Sequence, residues 1–391
     1  MSVRAAQVVV IGGGIIGTAI TYYLAKQGVD VALVERRDIA SETSSACDGF
    51  IMLQTKDPGL KLRMALESAQ IFQSLSEELE CDIEYRRDGG MVIIETKEQL
   101  ERVLPRIEEQ RSYGLEVKLL DRYQTKQRQP CLGNHLISST YSSMDAQVYP
   151  IKLTFSFAQA AEKHGAKICL FTEVKDIEIR NSRINAVVTD KGEIKTDIVV
   201  NAAGVRAPEI GKMVNIEIPI LPRRGQIVIT EPAPPLLKGI LTSATYLAAK
   251  KIEKSNSSTD QNIKKLGVGL IVEQAENGNF ILGSTREFLG YNKRTSYEGI
   301  RAVIKGVIKV LPILKDVSVI RTFAGLRPTT PDGLPILGEV PELKGFIMAA
   351  GHEGDGIALA PITGKLIANL ITKGESSPQL AQLSLQRFAQ K

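Results

Sequence analysis

Gly12, Gly14 and Gly17 stand in the spacing G-x-G-x-x-G, directly after the apolar run Gln7 to Ile11 and at the head of a stretch with helical periodicity, Ile15 to Lys26. Such a loop does chemistry with phosphate. The first glycine makes a tight turn, the second lets a pyrophosphate approach the backbone, and the third lets helix and strand pack closely. The helix N-terminus then offers amide hydrogens and positive potential to the anion. Glu35 follows the next apolar run, Val29 to Val34, where a carboxylate can meet ribose hydroxyls. A dinucleotide is expected, and the fingerprint alone leaves NAD and FAD both open. Two later segments favour FAD. Asn201-Ala202-Ala203-Gly204 ends an apolar run in small residues, as backbone passing close to a cofactor requires, although a simple tight turn reads the same way. Gly351-His352-Glu353-Gly354-Asp355-Gly356 precedes the last apolar helix and supplies a second positive helix end, suited to a flavin edge that gains negative charge on reduction.

The elements that must position these residues follow from periodicity. The start reads as strand, helix and strand, with Gly28 closing the helix in a left-handed cap. Helices are expected over 60–79, 97–111, 151–164 and 357–371, and strands over 91–95, 168–171, 184–188 and 197–200. Between 225 and 288 the period becomes that of strands, at 227–230, 267–273 and 280–283, the last two joined by the turn Ala275-Glu276-Asn277-Gly278. Residues 121–150 read as a connection between domains, and the polar segment 250–265 as a surface loop.

A chain of 391 residues with 43% hydrophobic content can bury a large core in two domains or one elaborated domain. A net charge of +5 without a dense Lys/Arg tract argues against nucleic acid as partner. Cys47, Cys81, Cys131 and Cys169 are too dispersed for a zinc site or an iron–sulfur cluster, so no metal is expected and a reducing compartment is. The apolar stretch Val8 to Leu24 is interrupted by four glycines and lacks a cleavage site, so it reads as strand, turn and helix rather than as a signal peptide or membrane span. A cytoplasmic enzyme is the expectation.

Taken together, Val10 to Gly17, Glu42-Thr43-Ser44-Ser45, Gly325-Leu326-Arg327-Pro328, Asp332-Gly333-Leu334-Pro335 and the Gly351 to Gly356 segment resemble the D-amino-acid-oxidase-like family of FAD-dependent oxidoreductases, over nearly the whole chain. That family includes glycine oxidase, sarcosine oxidase and their dehydrogenase relatives. Cys47-Asp48-Gly49 and Gly283 to Phe288 look most like catalytic subunits of D-hydroxyproline, opine and cyanide-forming glycine dehydrogenases. The resemblance implies an α/β (α+β) fold, with a Rossmann-like FAD-binding domain from 1–85, 145–220 and 321–391 and an inserted antiparallel-sheet substrate domain from 86–144 and 221–320.

It implies noncovalent FAD held by Gly12, Gly14, Ile15, Ile16, Gly17, Glu35, Arg36, Thr43, Ser44, Ser45, Val174, Ala202, Ala203, Gly204, Gly351, Gly354, Asp355, Gly356 and Ile357. It also implies oxidation of a C–N bond beside a carboxylate by hydride transfer to the flavin, with Arg327 on the substrate carboxylate. His352 either lines the flavin or bonds backbone. Where the glycine oxidase pattern has a second arginine this chain has Gly354, which opens space for a bulkier substrate such as a ring amino acid or an opine. Relatives of the dehydrogenase kind pass electrons to a companion carrying an iron–sulfur cluster or a second flavin. A self-contained oxygen-dependent oxidase and a nicotinamide-linked reductase are the alternatives.

Overall fold

The computed structural model describes residues 3–250 and 266–389. Two sheets organise it. The first has six strands in the order Ile336–Glu339, Phe346–Ala350, Ile198–Asn201, Val8–Ile11, Val31–Val34, Lys167–Cys169. Its inner pairings are parallel, and only Ile336–Glu339 runs antiparallel at one edge. Val8 to Val10 are wholly buried, as strands covered on both faces must be. Val8 and Val10 pack with the helices Ile15–Lys26, Pro150–Lys163 and Gly356–Lys373. Val9 and Ile11 pack on the opposite side, with Val174, Ile177, Val187 and Ile194 of a small antiparallel sheet.

The second sheet has eight strands, in the order Val319–Thr329, Leu221–Pro232, Asn279–Gly283, Ile271–Gln274, Ile240–Ser243, Gly90–Ile94, Ser138–Ser142, Lys118–Asp121. It is antiparallel except where Ile240–Ser243 runs alongside Gly90–Ile94. The helix Tyr297–Val310 lays Val303, Val307 and Val310 against one of its faces. Gly278, at φ +88°, closes the expected turn between Ile271–Gln274 and Asn279–Gly283. No helix among the described residues is long and apolar enough to cross a membrane.

Three expectations change. Residues 121–150 are not mere connection: they hold the helix Arg122–Arg128 and the strand Ser138–Ser142. The helix is held by a reciprocal cap, Asp121 Oδ1 accepting the Gln124 N–H and Gln124 Oε1 accepting the Asp121 N–H. The strand Ser-Ser-Thr-Tyr-Ser carries no apolar alternation to betray it. The expected boundary at 321 falls inside Val319–Thr329, which pairs along its length with Leu221–Pro232 and so belongs to the large sheet. Finally, the strands Val174–Arg180 and Gly192–Lys195 flank the expected one near 184–188 to complete the small sheet. Of the polar segment expected as a surface loop, 250–265, residues 251–265 lie outside the described residues.

Candidate active site

A cleft runs from the glycine turn of the first sheet to the strands of the second. At the turn, Gly12 has φ +117°, and a Cβ there would lie 2.6 Å from the Ala202 carbonyl oxygen. A Cβ on Gly17 would meet the Gly12 oxygen at 1.9 Å, so this glycine serves helix packing and does not line the cleft. Gly14 does line it, and the nearest atom to a Cβ there is Ser44 Oγ at 3.3 Å, leaving the backbone open to approach. Ser44 Oγ in turn accepts the Ile15 N–H at 3.0 Å. The Glu35 carboxylate accepts N–H groups of Gly13 (2.7 Å) and Arg37 (2.8 Å), which fixes it at the cleft wall.

Ile15, Ile16, Arg36, Thr43, Val174, Ala202, Ala203 and Gly204 line the same end, and Gly351, His352, Gly354, Gly356 and Ile357 line the wall beneath the last helix. Walls of glycine, alanine and helix N-terminus are what a pyrophosphate and a flat ring system need. The residues present therefore fit FAD. Ser45 and Asp355 stand outside the lining. The family resemblance implies Asp355 at the cofactor; its carboxylate is instead buried between Lys56 Nζ (2.7 Å) and Lys61 Nζ (3.2 Å), and its N–H goes to the His352 carbonyl.

Arg327 reaches the other end of the cleft from Val319–Thr329. Its guanidinium crosses Gly225 on the paired strand, where a Cβ would stand 2.3 Å from Nη1. Nη2 donates to Ser284 Oγ (2.7 Å) and Nη1 to the Thr285 carbonyl (3.1 Å). That dipeptide is held by a buried network: Glu287 accepts from Thr285 Oγ1 (2.8 Å), Gln226 Nε2 (2.9 Å) and, bidentately, Arg224 (2.8 and 3.2 Å). With its rotamer locked in this way, Arg327 keeps a planar fork for an anion. A Cβ on Gly354 would lie 3.4 Å from Arg327 Nε, so any larger residue at 354 would emerge beside the fork.

Burial holds the His352 imidazole down to about 3, so it is neutral near pH 7, and its Nε2 meets Thr363 Oγ1 at 3.1 Å. Burial pushes the Cys47 thiol well up, and its Sγ donates to the Ser44 carbonyl. Two carboxylic acids missed by the sequence reading sit close by. Asp48 lines the cleft; burial pushes it up to about 6, against the pull of Arg327, Arg286 and Lys56. Glu273 lies behind it, pushed up to about 8 by burial and by the Asp48 charge. Both oxygens of Glu273 accept from the Gly49 N–H, at 3.0 and 3.3 Å. The segments Cys47 to Gly49 and Gly283 to Phe288 stood out in the sequence as stretches shared with a family, without showing which of their side chains face the cleft. Glu273 gave no signal, being one polar residue inside an apolar strand.

A family described as FAD dependent oxidoreductase matches residues 7–370. This chain belongs to it. It is 27% identical to the hydrogen cyanide synthase subunit HcnC of Pseudomonas aeruginosa, over 98% of this chain and 97% of that one. It is 30% identical to the glycine oxidase of Geobacillus kaustophilus, over 97% and 96%. Among solved structures it is similar to the L-proline dehydrogenase of P. horikoshii, with 31% identity, 99% coverage of each chain and a TM-score of 0.89. The chain is an FAD-dependent amino acid or amine oxidoreductase, and the architecture of a mixed α/β protein with a Rossmann-like half matches that of its relatives.

Proposed function

We propose that this enzyme oxidises the C–N bond of a small amino acid or secondary amine carboxylate, of the proline, sarcosine, hydroxyproline or opine kind, to an imine. The observation that carries this is the Arg327 guanidinium, half-buried at the cleft and anchored by Ser284 and Thr285 with one side open. FAD, held without a covalent bond, supplies the hydride acceptor. The chain's own part is positioning: Arg327 takes the carboxylate, Gly225 makes room for its guanidinium, and Gly354 leaves space beside it for the rest of the substrate. The space at Gly354 favours a substrate larger than glycine.

The similarity to an L-proline dehydrogenase and to a protein named as a synthase subunit supports a dehydrogenase that hands its electrons to a companion carrying an iron–sulfur cluster or a second flavin. The test is anaerobic bleaching of the flavin by a panel of secondary and D-amino acids, followed by exposure to air. Bleaching by a secondary amine carboxylate with slow reoxidation is expected. No bleaching by any member overturns the reaction. Reoxidation by air as fast as turnover, with stoichiometric peroxide, overturns the companion and identifies a self-contained oxidase.

A further inference from the structure

Resting on that reading of the reaction, we propose that Asp48 receives the nitrogen of the substrate, so that the amino acid is held as a zwitterion between Arg327 and Asp48 and gives its ammonium proton to Asp48.

Arg327 and Asp48 approach neighbouring residues of one segment, Ser284 and Gly283. Arg327 Nη2 bonds Ser284 Oγ at 2.7 Å, while Asp48 Oδ2 lies 4.0 Å from the place a Cβ would take on Gly283, where the only other near atom is Ile227 Cγ1 at 3.8 Å. The guanidinium gives its internal bonds to Ser284 and Thr285 rather than to Asp48, so the opposite charges face one space without closing on each other. Lys56 reaches Asp355 at 2.7 Å and Arg223 faces Glu353 at 3.7 Å, while the Arg286 guanidinium lies over the Tyr246 ring at 4.3 Å, its Nε and Nη1 meeting no hydrogen-bond acceptor among the described residues. A half-buried carboxylate on a cleft wall, beside an arginine with an open fork, is the charge pattern of an α-amino acid in reverse. Each charge in such a site needs a partner, and a zwitterion supplies both at once.

The groups around Asp48 keep a single negative charge there. Arg327, Arg286 and Lys56 favour its ionised form; Cys47 beside it and Tyr246 stay protonated through burial. Glu273, tied to the Gly49 N–H, carries its proton at neutral pH, held there first by burial and then by the Asp48 charge. The step then balances. The N–H proton of the ammonium moves to an Asp48 oxygen; the carbon–hydrogen bond breaks with its electron pair going to FAD as hydride; the nitrogen lone pair forms C=N. The substrate loses two electrons, FAD gains them, and a protonated imine remains.

The test uses the FAD-loaded enzyme and the variant Asp48→Asn, which keeps shape. Binding of an amine-free carboxylate, read from the flavin spectrum, is expected to be unchanged in Asp48→Asn. Anaerobic reduction by the amino acid should fall about 100-fold or more, and the acid limb of its pH profile should vanish. Should Asp48→Asn not fold, the wild-type enzyme decides: its rate of anaerobic reduction should fall on the acid side as Asp48 takes a proton, and a rate that does not change with pH there overturns the role of Asp48. A wild-type enzyme that no amine carboxylate reduces overturns the reaction, and this proposal with it. A wild-type enzyme that is reduced, with Asp48→Asn reduced as fast on the same pH profile, overturns Asp48 alone.

Discussion

Lys56 Nζ meets Asp355 Oδ1 at 2.7 Å, both side chains fully buried and 299 residues apart in the chain. The pair ties the segment after the glycine turn to the N-terminus of the last helix, Gly356–Lys373, whose first residues line the cofactor cleft. Asp355 also holds Lys61 at 3.2 Å. Removing Asp355 takes a shared carboxylate from two cations; removing Lys56 leaves Asp355 with Lys61. Asp355→Asn is therefore expected to cost about 3–5 kcal/mol, the range for breaking a buried pair, and Lys56→Met less. Urea unfolding of both variants checks the order, and equal losses would contradict it.

Arg327→Ala should weaken substrate binding by about 2–5 kcal/mol, as expected when one partner of a buried charge pair is removed. The flavin should remain bound, since the ADP end of the cleft lies at the first sheet. Arg327→Lys is expected to recover little, because a point charge replaces a fork. Substrate titration of the oxidised enzyme reads the affinity, and an unchanged value with flavin in place removes Arg327 from the site.

Gly354→Arg places a second guanidinium beside the first, starting 3.4 Å from Arg327 Nε. It should narrow the space and shift preference toward the smallest amino acids, lowering kcat/KM for a ring amino acid relative to glycine about tenfold or more. A ratio that does not move would mean that the substrate lies elsewhere.

How much of this was legible beforehand depends on how local the signal is. The strand–turn–helix at Val8 to Lys26 announces itself because two of its glycines have a local reason: Gly12 takes φ +117°, and Gly17 must clear the Gly12 oxygen. The large sheet was legible only in part. Leu221–Pro232 and Asn279–Gly283 show strand composition, whereas Ser138–Ser142 is a strand through its pairing with Gly90–Ile94 and not through its own pattern. Asp355 reads as a cofactor contact from the family resemblance, yet its carboxylate is committed to Lys56 and Lys61, partners that no local window contains. Asp48 and Glu273 meet only when the segment after the first βαβ unit touches a strand of the other sheet, which is tertiary information.

Glu273 makes a prediction about stability against pH. Its carboxyl is raised from 4.5 to about 8 in the folded chain, first by burial and then by the Asp48 charge. An acid raised on folding binds more protons in the native than in the unfolded state between those two values, so stability falls as pH climbs through that window. The contribution is fully present below 4.5 and lost once pH passes about 8, with a slope of at most about 1.4 kcal/mol per pH unit. Asp48, raised from 3.8 to about 6, adds to the fall only in the lower part. Between pH 6.5 and 8.5 the Glu273 share stands apart. Glu273→Gln keeps an oxygen for the Gly49 N–H and removes the titration. Urea midpoints at those two pH values should therefore drop more for the wild-type chain than for the variant, while the other titrating groups contribute alike to both. Equal drops would show that Glu273 ionises in the fold as it does in water.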